Sequence, residues 1–76
     1  MNKRLVLVTG VAGLIGSHLS EKLLQKGYIV HGMDTVDIDS NMNLVNVKNN
    51  PNFNYYKGDI RSKNDLQKFF IKSLTN

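Results

Sequence analysis

Three glycines and one aspartate carry the chemistry this sequence offers. Thr9-Gly10-Val11-Ala12-Gly13-Leu14-Ile15-Gly16 follows directly on the apolar run Leu5-Val6-Leu7-Val8. Strand, glycine turn and helix in that order build a pyrophosphate site. Gly10 permits the tight turn out of the strand, Gly13 lets the backbone come close to a phosphate, and Gly16 lets the helix pack near the strand. The amides of Leu14 and Ile15 open the helix, lack partners within it and point, with the helix dipole, toward negative charge. No Gly-Lys-Ser/Thr follows the loop, which argues against a P-loop nucleotide hydrolase. Asp34 ends the next apolar run, where a carboxylate accepts hydrogen bonds from an adenosine ribose. A 2′-phosphate would meet Asp34 at close range, with no Arg nearby to receive it and with Asp37 and Asp39 adding like charge. The expected ligand is therefore NAD rather than NADP.

The elements that must position these residues are readable from periodicity. Residues 4–9 form a continuous apolar strand of the kind covered on both faces, which places it in the middle of a sheet. Ile15, Leu19, Leu23 and Leu24 recur at helical spacing, and Gly27 stands where a left-handed C-terminal cap is wanted. Ile29-Val30-His31-Gly32-Met33 is a second strand, parallel to the first by a right-handed crossover. Residues 35–52 are polar, with a short helix expected around 42–48 and a stop at Asn50-Pro51. Phe53 to Lys57 is an aromatic third strand. Ser62 with Asp65 resembles a capping box, and Leu66, Phe69, Phe70 and Leu74 give the helix after it an apolar stripe. The pattern predicts an α/β fold: a truncated Rossmann fold of three parallel strands, order 3-2-1, with flanking helices.

Composition narrows the function classes. Ten Lys and Arg against six Asp and Glu give a net charge of +4, but the basic residues are scattered, with no run longer than Lys3-Arg4, so no nucleic-acid partner is expected. The absence of cysteine removes disulfides, thiolate metal sites and cysteine nucleophiles, and suits a reducing compartment, the cytoplasm. Lys3-Arg4 before apolar residues imitates a secretory signal, yet Thr9, Gly10 and Gly13 interrupt the apolar stretch and Glu21-Lys22 follow. No apolar stretch approaches the ~20 residues that cross a bilayer, so no membrane partner is expected. His18 is expected to pack or hydrogen-bond near the sheet and His31 to be structural; without an i, i+4 partner they make no metal site. Phe53, Tyr55 and Tyr56 read as core rather than as a base-stacking platform. The free edge of Leu5 to Val8, apolar and uncharged, predicts self-association or a partner chain.

Val8-Thr9-Gly10-Val11-Ala12-Gly13-Leu14-Ile15-Gly16-Ser17-His18-Leu19, the acidic strand end at Asp34, and Lys57-Gly58-Asp59-Ile60-Arg61 together resemble the N-terminus of the extended short-chain dehydrogenase/reductases, specifically their nucleotide-sugar epimerases and dehydratases. The resemblance covers nearly the whole chain. It implies that Leu14 and Ile15 contact the pyrophosphate through their backbone, that Asp34 and Thr35 lie at the adenosine ribose, and that Asp59 and Ile60 flank the adenine. Asn43-Leu44-Val45-Asn46-Val47 before Pro51-Asn52-Phe53 is similar to dTDP-glucose 4,6-dehydratases, while Val36-Asp37-Ile38-Asp39 departs from them, leaving UDP-sugar 4-epimerases an equal alternative.

In that family a tyrosine, with a lysine four residues later, takes a proton from a sugar hydroxyl while hydride passes to NAD. Here the positions four beyond Tyr28, Tyr55 and Tyr56 are Gly32, Asp59 and Ile60, so the chain carries no such pair and no catalytic residue is assigned. A chain of 76 residues has room for one small domain. Residues 1–76 are thus expected to be the N-terminal part of a Rossmann domain, with the sugar-binding domain absent and a nucleotide-sugar partner only where a C-terminal part is present. A non-catalytic dinucleotide-binding module, or an inactive remnant, is the alternative.

Overall fold

Apolar β-branched and leucine residues at Leu5–Thr9 form the first strand, β1, and the glycine turn behind it feeds a helix, α1, at Leu14–Gln25. The computed structural model describes residues 4–75 of the chain. The second strand, β2, spans Ile29–Asp34, the third, β3, Phe53–Lys57, and the last helix, α2, Lys63–Thr75. All three strands are parallel and lie in the order β1-β2-β3, which is the expected 3-2-1 arrangement.

The helix after β1 ends as its glycine requires. Gly27 takes φ +89°, its amide donates to the Leu24 carbonyl at 3.0 Å, and the Tyr28 amide donates to Leu23 at 3.0 Å. Those two bonds are a Schellman closure. Between β2 and β3 the expected short helix is a single 3-10 turn at Met42–Leu44, preceded by another at Ile38–Ser40 and followed by turns. This stretch still contributes buried Leu44 and Val47 to the core, beside Val8, Val11, Ala12, Val30 and Phe53.

Several expectations about faces are corrected. Among the described residues β1 pairs with β2 alone, so it lies at an edge and Leu5 is exposed; β2 takes the centre, with Val30, His31, Gly32 and Met33 all buried. On α1 the residues facing the sheet are Ser17 and Ser20, whereas Ile15 and Leu19 are exposed. The cause is the close approach at Gly16, where a Cβ would press into the Gly10 carbonyl oxygen and stand 3.0 Å from Val11 Cα. Only small side chains fit beside the turn; further along the helix, Leu23 and Leu24 of the expected stripe are half-buried and pack against the core. The two hydroxyls are satisfied within the helix, Ser17 donating to Leu14 at 3.1 Å and Ser20 to Gly16 at 2.9 Å. His18 is exposed on the outer side of the same helix rather than against the sheet.

The last helix buries less than its sequence stripe suggests. Phe69 and Ser73 are buried, Leu66 is half-buried, and Phe70 and Leu74 are exposed. Phe69 meets the Tyr56 ring edge-on at 5.3 Å, and Ser73 hydrogen-bonds His31 Nδ1 at 3.0 Å, which gives His31 the structural role expected of it. Phe53 is buried and Tyr55 and Tyr56 half-buried, as core residues. At the start of α2 the Asp65 amide donates to Ser62 Oγ at 3.2 Å, but the Asp65 carboxylate accepts from the Asp59 amide at 3.0 Å instead of returning to Ser62. No described helix is long and apolar enough to cross a membrane.

Candidate functional site

Because the strands are parallel, Thr9, Asp34 and Lys57 all end at one edge of the sheet. The glycine turn, the corner after Asp34 and the loop after β3 leave from that edge side by side. Ligands of open parallel sheets bind there, beyond the carboxyl ends of the strands.

The turn is built from its glycines. Gly10 has φ +67°, a conformation that L side chains rarely adopt, and its amide donates to the Met33 carbonyl at 2.9 Å. Gly13 is the N-cap of α1, and no side chain caps the helix. A Cβ at Gly13 would meet only the Gly10 oxygen, at 3.4 Å, so the space in front of it is open rather than filled by protein. Next come Leu14 and Ile15, with exposed side chains and first-turn amides that have no carbonyl inside the helix.

Asp34 is tied to the turn. Its Oδ2 accepts from the Ala12 amide at 2.9 Å and its Oδ1 from the Thr35 amide at 2.7 Å. A carboxylate offers about four acceptor positions, so lone pairs remain for two hydroxyls. On the far side of the turn, Asn43 Nδ2 donates to the Ala12 carbonyl at 2.9 Å. The Tyr55 hydroxyl donates to the carbonyls of Asp34, at 3.2 Å, and Val36, fastening the chain as it leaves β2. Burial, then the charges of Asp34 and Asp37, pushes the Tyr55 phenol up to about 12, so it stays a donor across the working pH range.

Thr35 and Asp59 meet across an open cleft of about 360 Å³ that Lys57, Gly58 and Asp65 complete. Arg61 grips the Asp59 carboxylate through Nη2 at 2.7 Å and Nε at 3.1 Å and donates its backbone amide at 2.8 Å. Those hydrogen bonds hold the Asp59 carboxyl down at about 2. Lys57 Nζ pairs with Asp37 at 2.7 Å and Lys48 with Asp39 at 3.4 Å, so the acidic segment after Asp34 is partly neutralised. Ile60 is exposed and does not line the cleft.

The candidate residues thus fall into two adjoining groups, Gly10, Gly13, Leu14, Ile15, Gly16 and Asp34 at the turn, and Thr35 and Asp59 at the cleft. Sequence reasoning missed Asn43, Asp65 and Gly32. For Gly32 the signal was present, since glycine inside a strand marks a close approach, and a Cβ there would stand 2.7 Å from both methyls of Val11. Asn43 reaches Ala12 from 31 residues away, which no local pattern reveals, and Asp65, read in the sequence only as a cap partner of Ser62, turns instead to the Asp59 amide.

Parallel strands in this order, a glycine turn into a helix and an acidic strand end define a Rossmann-type α/β unit. The family model for GDP-mannose 4,6 dehydratase matches residues 7–75, and the chain belongs to that family. It is 36% identical over 74 residues to the UDP-glucose 4-epimerase of Pisum sativum, covering 90% of this chain and 21% of that enzyme. It is 42% identical over 69 residues to a trifunctional UDP-glucose 4,6-dehydratase/UDP-4-keto-6-deoxy-D-glucose 3,5-epimerase/UDP-4-keto-L-rhamnose-reductase of Arabidopsis thaliana, covering 87% of this chain and 10% of that one. A dTDP-glucose 4,6-dehydratase from Bacillus anthracis, crystallised in complex with NAD, matches with a TM-score of 0.78 at 29% identity, covering 92% of this chain and 24% of that one. The chain spans about a fifth or less of the length of these curated relatives. The resemblance to nucleotide-sugar epimerases and dehydratases holds on sequence and on fold alike.

Proposed function

We propose that this chain binds NAD, as the N-terminal part of the Rossmann domain of an NAD-dependent nucleotide-sugar epimerase or dehydratase. The observation that carries the reading is the Asp34 carboxylate seated against the Ala12 amide, beside first-turn amides and an open space before Gly13. Gly13 and the amides of Leu14 and Ile15 hold the pyrophosphate, with Gly10 and Gly16 shaping the turn beneath it. Asp34 and Thr35 receive the adenosine ribose, and Asp59, in the cleft, and exposed Ile60, outside its lining, flank the adenine. When bound, NAD supplies the hydride acceptor for a UDP- or dTDP-sugar; this chain's own residues bind and orient it. No Tyr-x-x-x-Lys pair stands in the sequence, which favours, for the 76 residues by themselves, a non-catalytic dinucleotide-binding module or inactive remnant. A cytoplasmic setting fits a chain without cysteine.

Calorimetric titration of the purified chain with NAD tests the reading. Binding in the micromolar range, abolished in Gly13→Trp and weakened in Asp34→Ala while both variants keep the parent's circular dichroism, supports it. No measurable binding by the folded parent overturns it.

A further inference from the structure

Telling one base from another falls to the few residues that line the cleft, Thr35, Lys57, Gly58, Asp59 and Asp65. An exocyclic amine on a base needs an acceptor, and a carboxylate with spare lone pairs is the strongest on offer. Lys57 only donates, and the Thr35 hydroxyl is a neutral acceptor. Two carboxylates are left, and the first of them is full. Asp59 Oδ1 accepts from the Arg61 amide at 2.8 Å and from Arg61 Nε at 3.1 Å, and its Oδ2 accepts from Nε at 3.1 Å and Nη2 at 2.7 Å. Those contacts occupy the about four acceptor positions that a carboxylate has.

Asp65 is bonded differently. Its Oδ2 accepts from the Asp59 amide at 3.0 Å, while its Oδ1 accepts no hydrogen bond from the described residues. The side chain is half-buried and held in place. Its own amide donates to Ser62 Oγ at 3.2 Å, which fixes the first turn of α2 beneath it. Across from it, a Cβ on Gly58 would stand 3.3 Å from the Asp65 Cβ and 3.5 Å from its Cγ, so the glycine leaves the room that this carboxylate occupies. We propose, on the reading that the chain binds NAD, that Asp65 and not Asp59 accepts the adenine amine, through Oδ1, and sets the preference for a 6-amino over a 6-oxo purine. Asp59, tied to Arg61, serves as a wall beside the ring. A 6-oxo group in the place of the amine would set a carbonyl oxygen against the Asp65 carboxylate, lone pair to lone pair, and leave that acceptor unpaired.

Nicotinamide hypoxanthine dinucleotide tests this, because it differs from NAD only at the base, where a 6-oxo group and a proton on N1 replace the amine. In calorimetric titrations the parent chain is expected to prefer NAD by at least about tenfold. In Asp65→Asn the side-chain carbonyl can keep the Asp59 amide, which leaves its NH2, a donor, for the base. The preference should then fall to parity or reverse, with the circular dichroism unchanged. Arg61→Ala, which alters an exposed side chain, releases the Asp59 carboxylate and should leave the ratio at the parent's value, whereas it would sharpen the preference if Asp59 were the acceptor. A ratio that is unchanged in Asp65→Asn, or that rises in Arg61→Ala, overturns the role of Asp65. So does a parent that binds both dinucleotides equally, an outcome that leaves the NAD reading standing. A folded parent that binds neither defeats the NAD reading itself, and the role of Asp65 with it.

Discussion

Alanine at Gly16 and alanine at Gly13 should separate folding from binding, although the two positions lie within one turn of each other. At Gly16 the new Cβ presses into the Gly10 carbonyl oxygen and sits 3.0 Å from Val11 Cα, both backbone atoms that move only if the turn moves. Replacing a helical glycine by alanine gains about 1 kcal/mol of propensity. Overpacking of this kind costs about 1–3 kcal/mol, and more when backbone rather than a side chain must yield. A net loss of about 1–2 kcal/mol is expected, which in a domain this small lowers Tm by roughly 5–15 °C. At Gly13 the new Cβ meets the Gly10 oxygen at an ordinary 3.4 Å, and φ is −74°. The gain from a stiffer unfolded chain, about 0.4–1 kcal/mol, is offset by the poorer N-cap, so Tm should stay within about 3 °C. NAD affinity is the reverse: it should fall at least about tenfold in Gly13→Ala, because the methyl occupies the approach of the pyrophosphate. Thermal melts by circular dichroism, read beside calorimetric titrations, decide the matter. A Gly16→Ala chain that melts at or above the parent refutes the close helix approach, and undiminished NAD binding by Gly13→Ala refutes the placement of the phosphate.

Tyr55→Phe removes the hydroxyl that holds the Asp34 and Val36 carbonyls and should cost about 1 kcal/mol in urea denaturation; an unchanged midpoint would show that the anchor carries no stability. In the parent, ultraviolet titration should show the Tyr55 phenol ionising near 12, above the ordinary tyrosine range. His31 is buried and its pKa is lowered by desolvation, so the native state binds its proton less readily than the unfolded chain. Stability should therefore fall as pH drops below the unfolded value of 6.5, and His31→Gln should flatten that part of a Tm–pH curve. Asp59 acts in the same direction at lower pH: with a folded value of about 2 against 3.8, its contribution is complete above 3.8 and is lost as pH falls through about 2. Carboxyl NMR titration should find Asp59 raised toward the ordinary range in Arg61→Ala, with the backbone amide at position 61 still holding it partly down.

The order of elements was legible because local rules govern it: continuous apolar runs make strands, Gly10 and Gly27 mark turns, and parallel strands with right-handed crossovers leave few arrangements. For the same reason the turn and Asp34 were legible as one site, since two neighbouring parallel strands end side by side. Burial was less legible. Helical spacing reveals that α1 has an apolar stripe at Ile15 and Leu19, but it does not reveal which flank the sheet occupies. Gly16 decides that: once its backbone sits against the turn, the Ser17 and Ser20 side of the helix lies beneath, with Leu23 and Leu24 packed against the core one turn further on, and Ile15 and Leu19 are left outside. On α2 the contacts with Tyr56 and His31 set the buried side at Phe69 and Ser73, and Phe70 and Leu74 are turned away from it.

The least regular part of the chain turns out to hold the most regular part of the site. The peptide groups of Ala12 are gripped from two directions, the amide by Asp34 at the end of β2 and the carbonyl by Asn43 in the polar loop beyond it. Asn43 is itself set by a local bond, its amide donating to the Asn41 side chain at 2.9 Å as the 3-10 turn begins, and buried Leu44 next to it fixes that turn to the core. A loop with no strong periodicity thus becomes a strut through one short turn and one buried leucine. The strut matters because a phosphate-binding turn works through backbone amides, whose directions are lost if the turn flexes. With Ala12 held on both sides, the turn gains its shape from the fold before any ligand arrives. The ordering entropy that binding would otherwise oppose is then already supplied by folding. Asp34 serves both purposes at once, bracing the turn with the Ala12 amide and presenting its remaining lone pairs outward.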